Sequence, residues 1–176
     1  MKKIITKLLF ITIFFISCKK DRPPLSIKFP DLTCSLFFSD TTITQGGTIQ
    51  KVIQIRNIGK GATTAPIVFS LTTFSVSTGL SLSPNNSPMV TIGSNTYTLS
   101  NADWDFSANV GAFTSKPGVV IPAGGFKNVG VTISRGVPPN HGANGFLSNT
   151  VVIFPGTGGG ETPTTNNTVF NTLIKN

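Results

Sequence analysis

Charge is what this sequence has least of. Of its 176 residues, 14 are Lys or Arg and six are Asp or Glu, so charged side chains make up 11%, less than half the usual share. Coiled coils and long exposed helices need Lys and Glu in bulk, which excludes both. Disorder driven by polarity needs few apolar residues, and here 39% are apolar, enough to build a core. Two Cys cannot make a disulfide scaffold. One His and six acids leave little material for acid–base catalysis or a metal cluster. The length suits one ordinary domain. Thr, Ser and Asn take the place of charge at about three residues in ten, with 18 Gly and 12 Pro, a composition of strands and turns.

Long apolar runs are also scarce. The longest, Leu8-Leu9-Phe10-Ile11-Thr12-Ile13-Phe14-Phe15-Ile16, follows Lys2, Lys3 and Lys7. It falls well short of the roughly 20 apolar residues that span a bilayer. A basic start, a short apolar stretch and a small residue read as a secretory signal peptide. Phe14-Phe15-Ile16-Ser17-Cys18 then resembles a bacterial lipobox, with Phe where Leu is commonest. The resemblance implies a lipoprotein signal peptide over 1–17 and diacylglyceryl transfer to the Cys18 thiol. It further implies acylation of the new N-terminus, and a membrane partner engaged through the lipidated Cys18. Several acyl chains anchor stably where one does not. Loss of the three leader lysines leaves 11 basic against six acidic side chains, a formal +5. These positives are scattered, with no aromatic interleaving, so nucleic acid is not an expected partner.

Residues 18–30 comprise the lipidated Cys and a tether whose Pro23-Pro24 denies helix. Extended, it reaches roughly 40 Å. Lys19-Lys20-Asp21 is similar to surface-export signals of some lipoproteins, so the expected location is the cell envelope, on the outer membrane and facing outward. From Asp31 onward the pattern has period two. Leu32-Cys34-Leu36-Phe38 forms one apolar face, Ile67-Phe69-Leu71 another, and Val129-Val131-Ile133 a third. Further strands are expected at 89–92, 96–99, 146–154 and 168–174. In 48–57, Ile49, Ile53 and Ile55 share a side, but Lys51 and Val52 break the alternation and point to a bulge or a nearby edge in its early part. No helical period follows Cys18. Seven to nine short strands separated by Gly, Pro and Asn predict an all-β fold, an antiparallel β-sandwich over 31–176.

Three stretches resemble a conserved repeat of bacterial surface proteins, of the cell-adhesion-related domain type. They are Gln45-Gly46-Gly47-Thr48 with Ile53 through Ala62; Ile121-Pro122-Ala123-Gly124-Gly125; and Leu147-Ser148-Asn149-Thr150-Val151 with Pro163 through Thr168. The resemblance implies an immunoglobulin-like sandwich serving as a spacer or adhesive module, and it supplies no catalytic residues. The glycines read as turns requiring positive φ, and Asn57 and Asn167 as side chains bonding strand-end backbone. A single copy is present, and 75–115 is longer and less patterned than the family's usual segment.

His141, in a Pro-rich loop, reads as an exposed His rather than a base or ligand. Asn101, Asp103 and Asp105 have the alternate spacing of a calcium loop's start but lack its central Gly and final Glu. Cys34, on an apolar strand face, reads as a buried free thiol. The eleven Phe after the leader are expected mostly in the core. Asp40-Thr41-Thr42 fits a short O-glycosylation triplet. No catalytic residue, metal ligand or cofactor is assigned. The leading expectation is a non-enzymatic lipid-anchored envelope module, structural or adhesive, whose partner is an envelope or surface protein. The alternative is a carbohydrate-binding module that contacts glycan through Trp104 and Tyr97, which are the only Trp and Tyr.

Overall fold

A computed structural model describes residues 28–38, 40–73, 78–82, 88–137, 139, 143–161 and 165–176, with 73 and 78–82 by backbone alone. The leader, Cys18, most of the tether and His141 lie outside these residues. Twelve strands run β1 (Leu32–Phe38), β2 (Thr42–Ile43), β3 (Thr48–Asn57), β4 (Val68–Thr73), β5 (Thr78–Leu82), β6 (Met89–Ile92), β7 (Asn95–Thr98), β8 (Trp104–Ser107), β9 (Ala112–Ser115), β10 (Phe126–Arg135), β11 (Gly145–Ile153) and β12 (Thr168–Lys175). They form a four-stranded sheet ordered β1-β3-β10-β5, a six-stranded sheet ordered β2-β12-β11-β4-β9-β8, and a β6-β7 hairpin. All pairings are antiparallel except β2 with β12.

The two sheets pack face to face around Leu32, Cys34, Ile53, Ile55, Phe69, Leu71, Val129, Val131, Val151 and Ile153, which are at most 8% exposed. Each expected period-two face thus lies inward, where its burial contributes about 25 cal/mol per Å² of apolar surface. The strand count exceeds seven to nine. The strands not expected, β2, β5, β8 and β9, have two to five residues.

Strand β3 corrects a second expectation. It has no bulge, because β10 pairs with Thr48–Arg56 and β1 with Lys51–Asn57 in unbroken register, and only Thr48–Gln50, which β1 does not reach, lie near an edge. Positions 49, 51, 53 and 55 all face inward, so Lys51 is simply a lysine on the core side, 0% exposed. Val52 faces outward and is buried too, beneath Val90 and Ile92 of the hairpin.

The Asn-x-Gly-x-Gly stretch after β3 shows why those residue types are needed. Asn57 is fully buried and makes four bonds. Its Oδ1 accepts from the N–H groups of Asp31 (3.1 Å) and Gly59 (3.0 Å), and its Nδ2 donates to the carbonyls of Gly61 (2.8 Å) and Ile121 (3.0 Å). A Cβ on Gly61 would stand 2.0 Å from the Lys28 carbonyl oxygen, and one on Gly59 2.4 Å from the Asp31 nitrogen. Neither glycine has positive φ. They are there to let the incoming chain lie against the strand end, a role different from the turn role expected. Gly46 and Gly124 do have positive φ, at 69° and 75°.

Candidate functional site

The residues singled out for chemistry do not converge. Trp104 is 2% exposed, its ring edge-on to Phe69 at 5.1 Å within the core. It presents no face on which a sugar could stack, which removes the better half of the glycan-contact pair. Its indole N–H is buried without a partner. Tyr97 sits elsewhere, on the hairpin, half-buried against Phe37 at 4.9 Å. There it lines a cavity of about 230 Å³ with Leu36, Phe37, Phe38, Ile92 and Asn95.

The Asn101–Asp105 spacing also serves the fold. Gly130 N–H donates to Asn101 Oδ1 at 2.8 Å, and Asn101 Nδ2 donates to the Gly130 carbonyl at 3.0 Å. The side chain so stands in for a neighbouring strand where β5 does not reach along β10. Asp103 pairs with Lys127 at 2.6 Å, and Asp105 is exposed. Among the described residues no group of three or more His, Cys, Asp or Glu could hold a metal, and no helix is long and apolar enough to cross a membrane.

Buried polar groups line the inside. Lys51 Nζ donates to Asn171 Oδ1 at 2.6 Å and lies 4.8 Å from the centre of the Phe38 ring. Burial lowers its pKa to about 8. Arg135, 2% exposed, donates to the carbonyls of Ile43 (3.2 Å) and Asn176 (2.6 Å) and to Asn144 Oδ1 (3.1 Å), joining β2 to the end of β12. Cys34 is the buried free thiol expected; its S–H donates to the Asn167 carbonyl at 3.4 Å, and burial pushes its pKa up to about 11. A thiol so placed is unreactive.

The candidate feature that sequence reasoning missed is a surface. Of the ten described Phe after the leader, Phe69 and Phe113 are buried and Phe37, Phe38 and Phe106 half-buried, whereas Phe29, Phe126, Phe146, Phe154 and Phe170 are exposed. Two of these share one face. On the outer side of β11 and β12, Phe146 pairs across strands with Ile174, Ser148 with Thr172, and Thr150 with Phe170. Phe146 and Phe170 are 76% and 75% exposed, about 13 Å apart along the strands. The outward positions of β4 (Val68, Ser70, Thr72) continue the face, and no charged side chain stands on β4, β11 or β12 there. The signal was present in the register: Phe146 and Phe170 have the opposite parity to Leu147 and Leu173, which are fully buried.

The sheet orders correspond to an A-B-E-D layer packed on a G-F-C layer, with the first strand split so that β2 lies parallel to β12. The domain is an immunoglobulin-like β-sandwich. No model of a known protein family matches the chain, and no curated protein matches its sequence. Among solved structures, the chain is similar to the CARDB domain of the PF1109 protein from Pyrococcus furiosus, solved in complex with di-metal ions. The identity is 11%, the match covers 85% of this chain and 96% of that one, and the TM-score is 0.50. AvmM, described as catalysing macrocyclisation in alchivemycin A biosynthesis, matches at 14% identity over 82% and 88% of the two chains, with a TM-score of 0.49. The C-terminal domain of the AgI/II polypeptide BspA of Streptococcus agalactiae matches at 12% identity over 83% and 49%, with a TM-score of 0.38. At such identities the likeness to the CARDB domain is one of fold.

Proposed function

We propose that this chain is a non-enzymatic, lipid-anchored module of the cell envelope. In this reading Cys18 carries the lipid, the tether sets the reach, and the sandwich binds an uncharged surface of an envelope protein. The observation that carries it is the bare outer face of β11 and β12, with Phe146, Phe170 and Ile174 exposed among Thr and Ser. Apolar faces of this kind on soluble domains mark interaction sites. A partner that covered two Phe rings would bury 150–250 Å² of each at about 25 cal/mol per Å², and with no charge on the face it pays no ionic desolvation. The buried cations Lys51 and Arg135 are bonded to amide and backbone oxygens, which supports a structural rather than a chemical use of both.

The test is photo-crosslinking on intact cells with the lipidated protein. A crosslinker at Thr172, between the two Phe, should capture a partner that one at Met89, on the hairpin, does not, and the double change Phe146→Ser/Phe170→Ser should abolish that capture. Equal capture from both positions, or capture that survives the double change, would refute the face. For the anchor, Cys18→Ser should move the protein from the detergent to the aqueous phase in phase partitioning; unchanged partitioning would count against lipidation.

Glycan binding draws on one observation, the aromatic cavity beside Tyr97 with the Asn95 carboxamide on its wall. Tyr97→Ala should then abolish retention on envelope polysaccharide while leaving capture from Thr172 intact. Retention unaffected by Tyr97→Ala would end this reading.

A further inference from the structure

We propose that the end of the sandwich at which the tether enters is a docking surface for an anionic lipid bilayer. The strand register defines this end. In one sheet β1 starts beside the end of β3 and the start of β10. In the other, β4 and β12 start beside the ends of β9 and β11. Both sheets share the end, because Thr33 Oγ1 donates to the Asn166 carbonyl at 3.1 Å and Asn166 Nδ2 donates to Asp31 Oδ1 at 2.9 Å, joining the start of β1 to that of β12.

Five apolar side chains stand open on the strand ends and connections there: Phe29 (50% exposed), Ile58 (52%), Val120 (48%), Phe126 (53%) and Phe154 (42%). Lys28, Arg56, Lys60 and Lys116 are exposed at the same end, and among the described residues none of the four pairs with a carboxylate. The acids nearby are spent or set aside. Asp103 is held by Lys127 at 2.6 Å, Glu161 is fully buried, Asp31 is half-buried and bonded by Asn166, and Asp105 lies on the edge strand β8. At the opposite end the charged side chains outside the core are Asp40 and Lys175, one of each sign.

That mixture selects the occupant. Apolar side chains alone would suit an apolar protein face, and cations alone any polyanion. Together they match a surface of negative headgroups with hydrocarbon just beneath. The course of the chain points the same way. Lys28 lies ten positions after Cys18, which holds this end within about 35 Å of that residue, and Lys19, Lys20 and Arg22 occupy the stretch between. The proposal rests on the lipid-anchor reading for bringing this end to the membrane; the docking itself is made by folded residues. Each Lys or Arg at an anionic surface favours the bound state by about fivefold. So docked, the strands stand on the bilayer, and the open face of β11 and β12 turns sideways towards proteins of the same membrane.

The test places a photo-crosslinker at Ile58, or at Val137 beyond the end of β10 at the opposite end (59% exposed). The full protein as cells produce it is reconstituted on vesicles of equal parts phosphatidylcholine and phosphatidylglycerol. Ile58 should give at least about fivefold more phospholipid adduct than Val137. The excess should shrink on pure phosphatidylcholine, and in about 1 M salt, where screening acts within about 3 Å. Arg56→Gln/Lys60→Gln, a change of two exposed side chains, should shrink it too without moving the urea midpoint. An excess insensitive to phosphatidylglycerol, salt and this double change would overturn the proposal. A protein that floats with the vesicles yet crosslinks equally from both ends would overturn the docking and leave the anchor standing; one that does not float would overturn both. An Ile58 excess in a protein whose partitioning Cys18→Ser leaves unchanged would keep the docking and end the anchor.

Discussion

The two sheets treat their outer faces in opposite ways. The four-stranded sheet is roofed: Val52 is fully buried under the β6-β7 hairpin, Asn128 Nδ2 donates to the Thr98 carbonyl at 3.0 Å, and Asn101 closes both backbone groups of Gly130. Among the described residues the six-stranded sheet has no such cover over β11 and β12, and its Phe146 and Phe170 stand open. Both faces carry some apolar side chains, Phe37 and Val52 on one and Phe146, Phe170 and Ile174 on the other. The difference is that the β6-β7 hairpin lies over one of them. A covered face contributes to stability, whereas an open one is available for recognition, so equal changes on the two should have unequal effects.

The largest effect is expected from placing a charge under the roof. Val52→Asp buries a carboxylate with no cation beside it and should cost about 4 kcal/mol, enough to unfold a marginal domain. Val152→Asp, on the open face, should cost about 1 kcal/mol or less. Urea unfolding of the two variants measures the gap directly, and similar midpoints would mean that the hairpin does not seal Val52.

The next concerns Lys51, one residue along on the inward side. Its folded pKa of about 8 lies below its ordinary value of 10.5, so the folded state binds fewer protons than the unfolded one between those values. Stability should therefore rise with pH across about 8 to 10.5, by about 3 kcal/mol in total. Lys51→Met should remove this slope and stabilise the domain at neutral pH by about 1–3 kcal/mol. Denaturant unfolding as a function of pH checks both; a slope that Lys51→Met leaves unchanged would assign it to another group.

The smallest effect on stability belongs to the exposed aromatics. Phe146→Ser and Phe170→Ser should shift unfolding by no more than about 0.5 kcal/mol, while removing the surface proposed for binding. A loss of several kcal/mol would mean that these rings pack inward and that the face is not open.

Much of the sandwich was readable from alternation, because a strand that buries one face writes its packing at every second residue. Leu32-Cys34-Leu36 and Val129-Val131-Ile133 needed nothing more. Asn57 was legible as a strand-end residue because the turn glycines stood next to it. Lys51-Val52 was misread for a definable reason. Two-residue periodicity assumes that one face is wet, and β3 has a lysine among its inward residues and, at Val52, one dry position on its otherwise open outer face. The candidate surface was hidden by the converse assumption that large aromatics go inside. Phe146 and Phe170 do not, because their neighbours Leu147 and Leu173 occupy the inward parity.

Local chain chemistry therefore settled the class of fold, the places where it turns and which residues of each strand share a side. All of these depend on interactions between near neighbours. Which side is roofed, where Asn101 finds a backbone to complete, and how Asp31 comes to accept a bond from Asn166, 135 positions later in the chain, depend on pairings between distant segments. Such pairings leave no periodic trace, so they emerge only once both sheets are assembled and compete for the same partners.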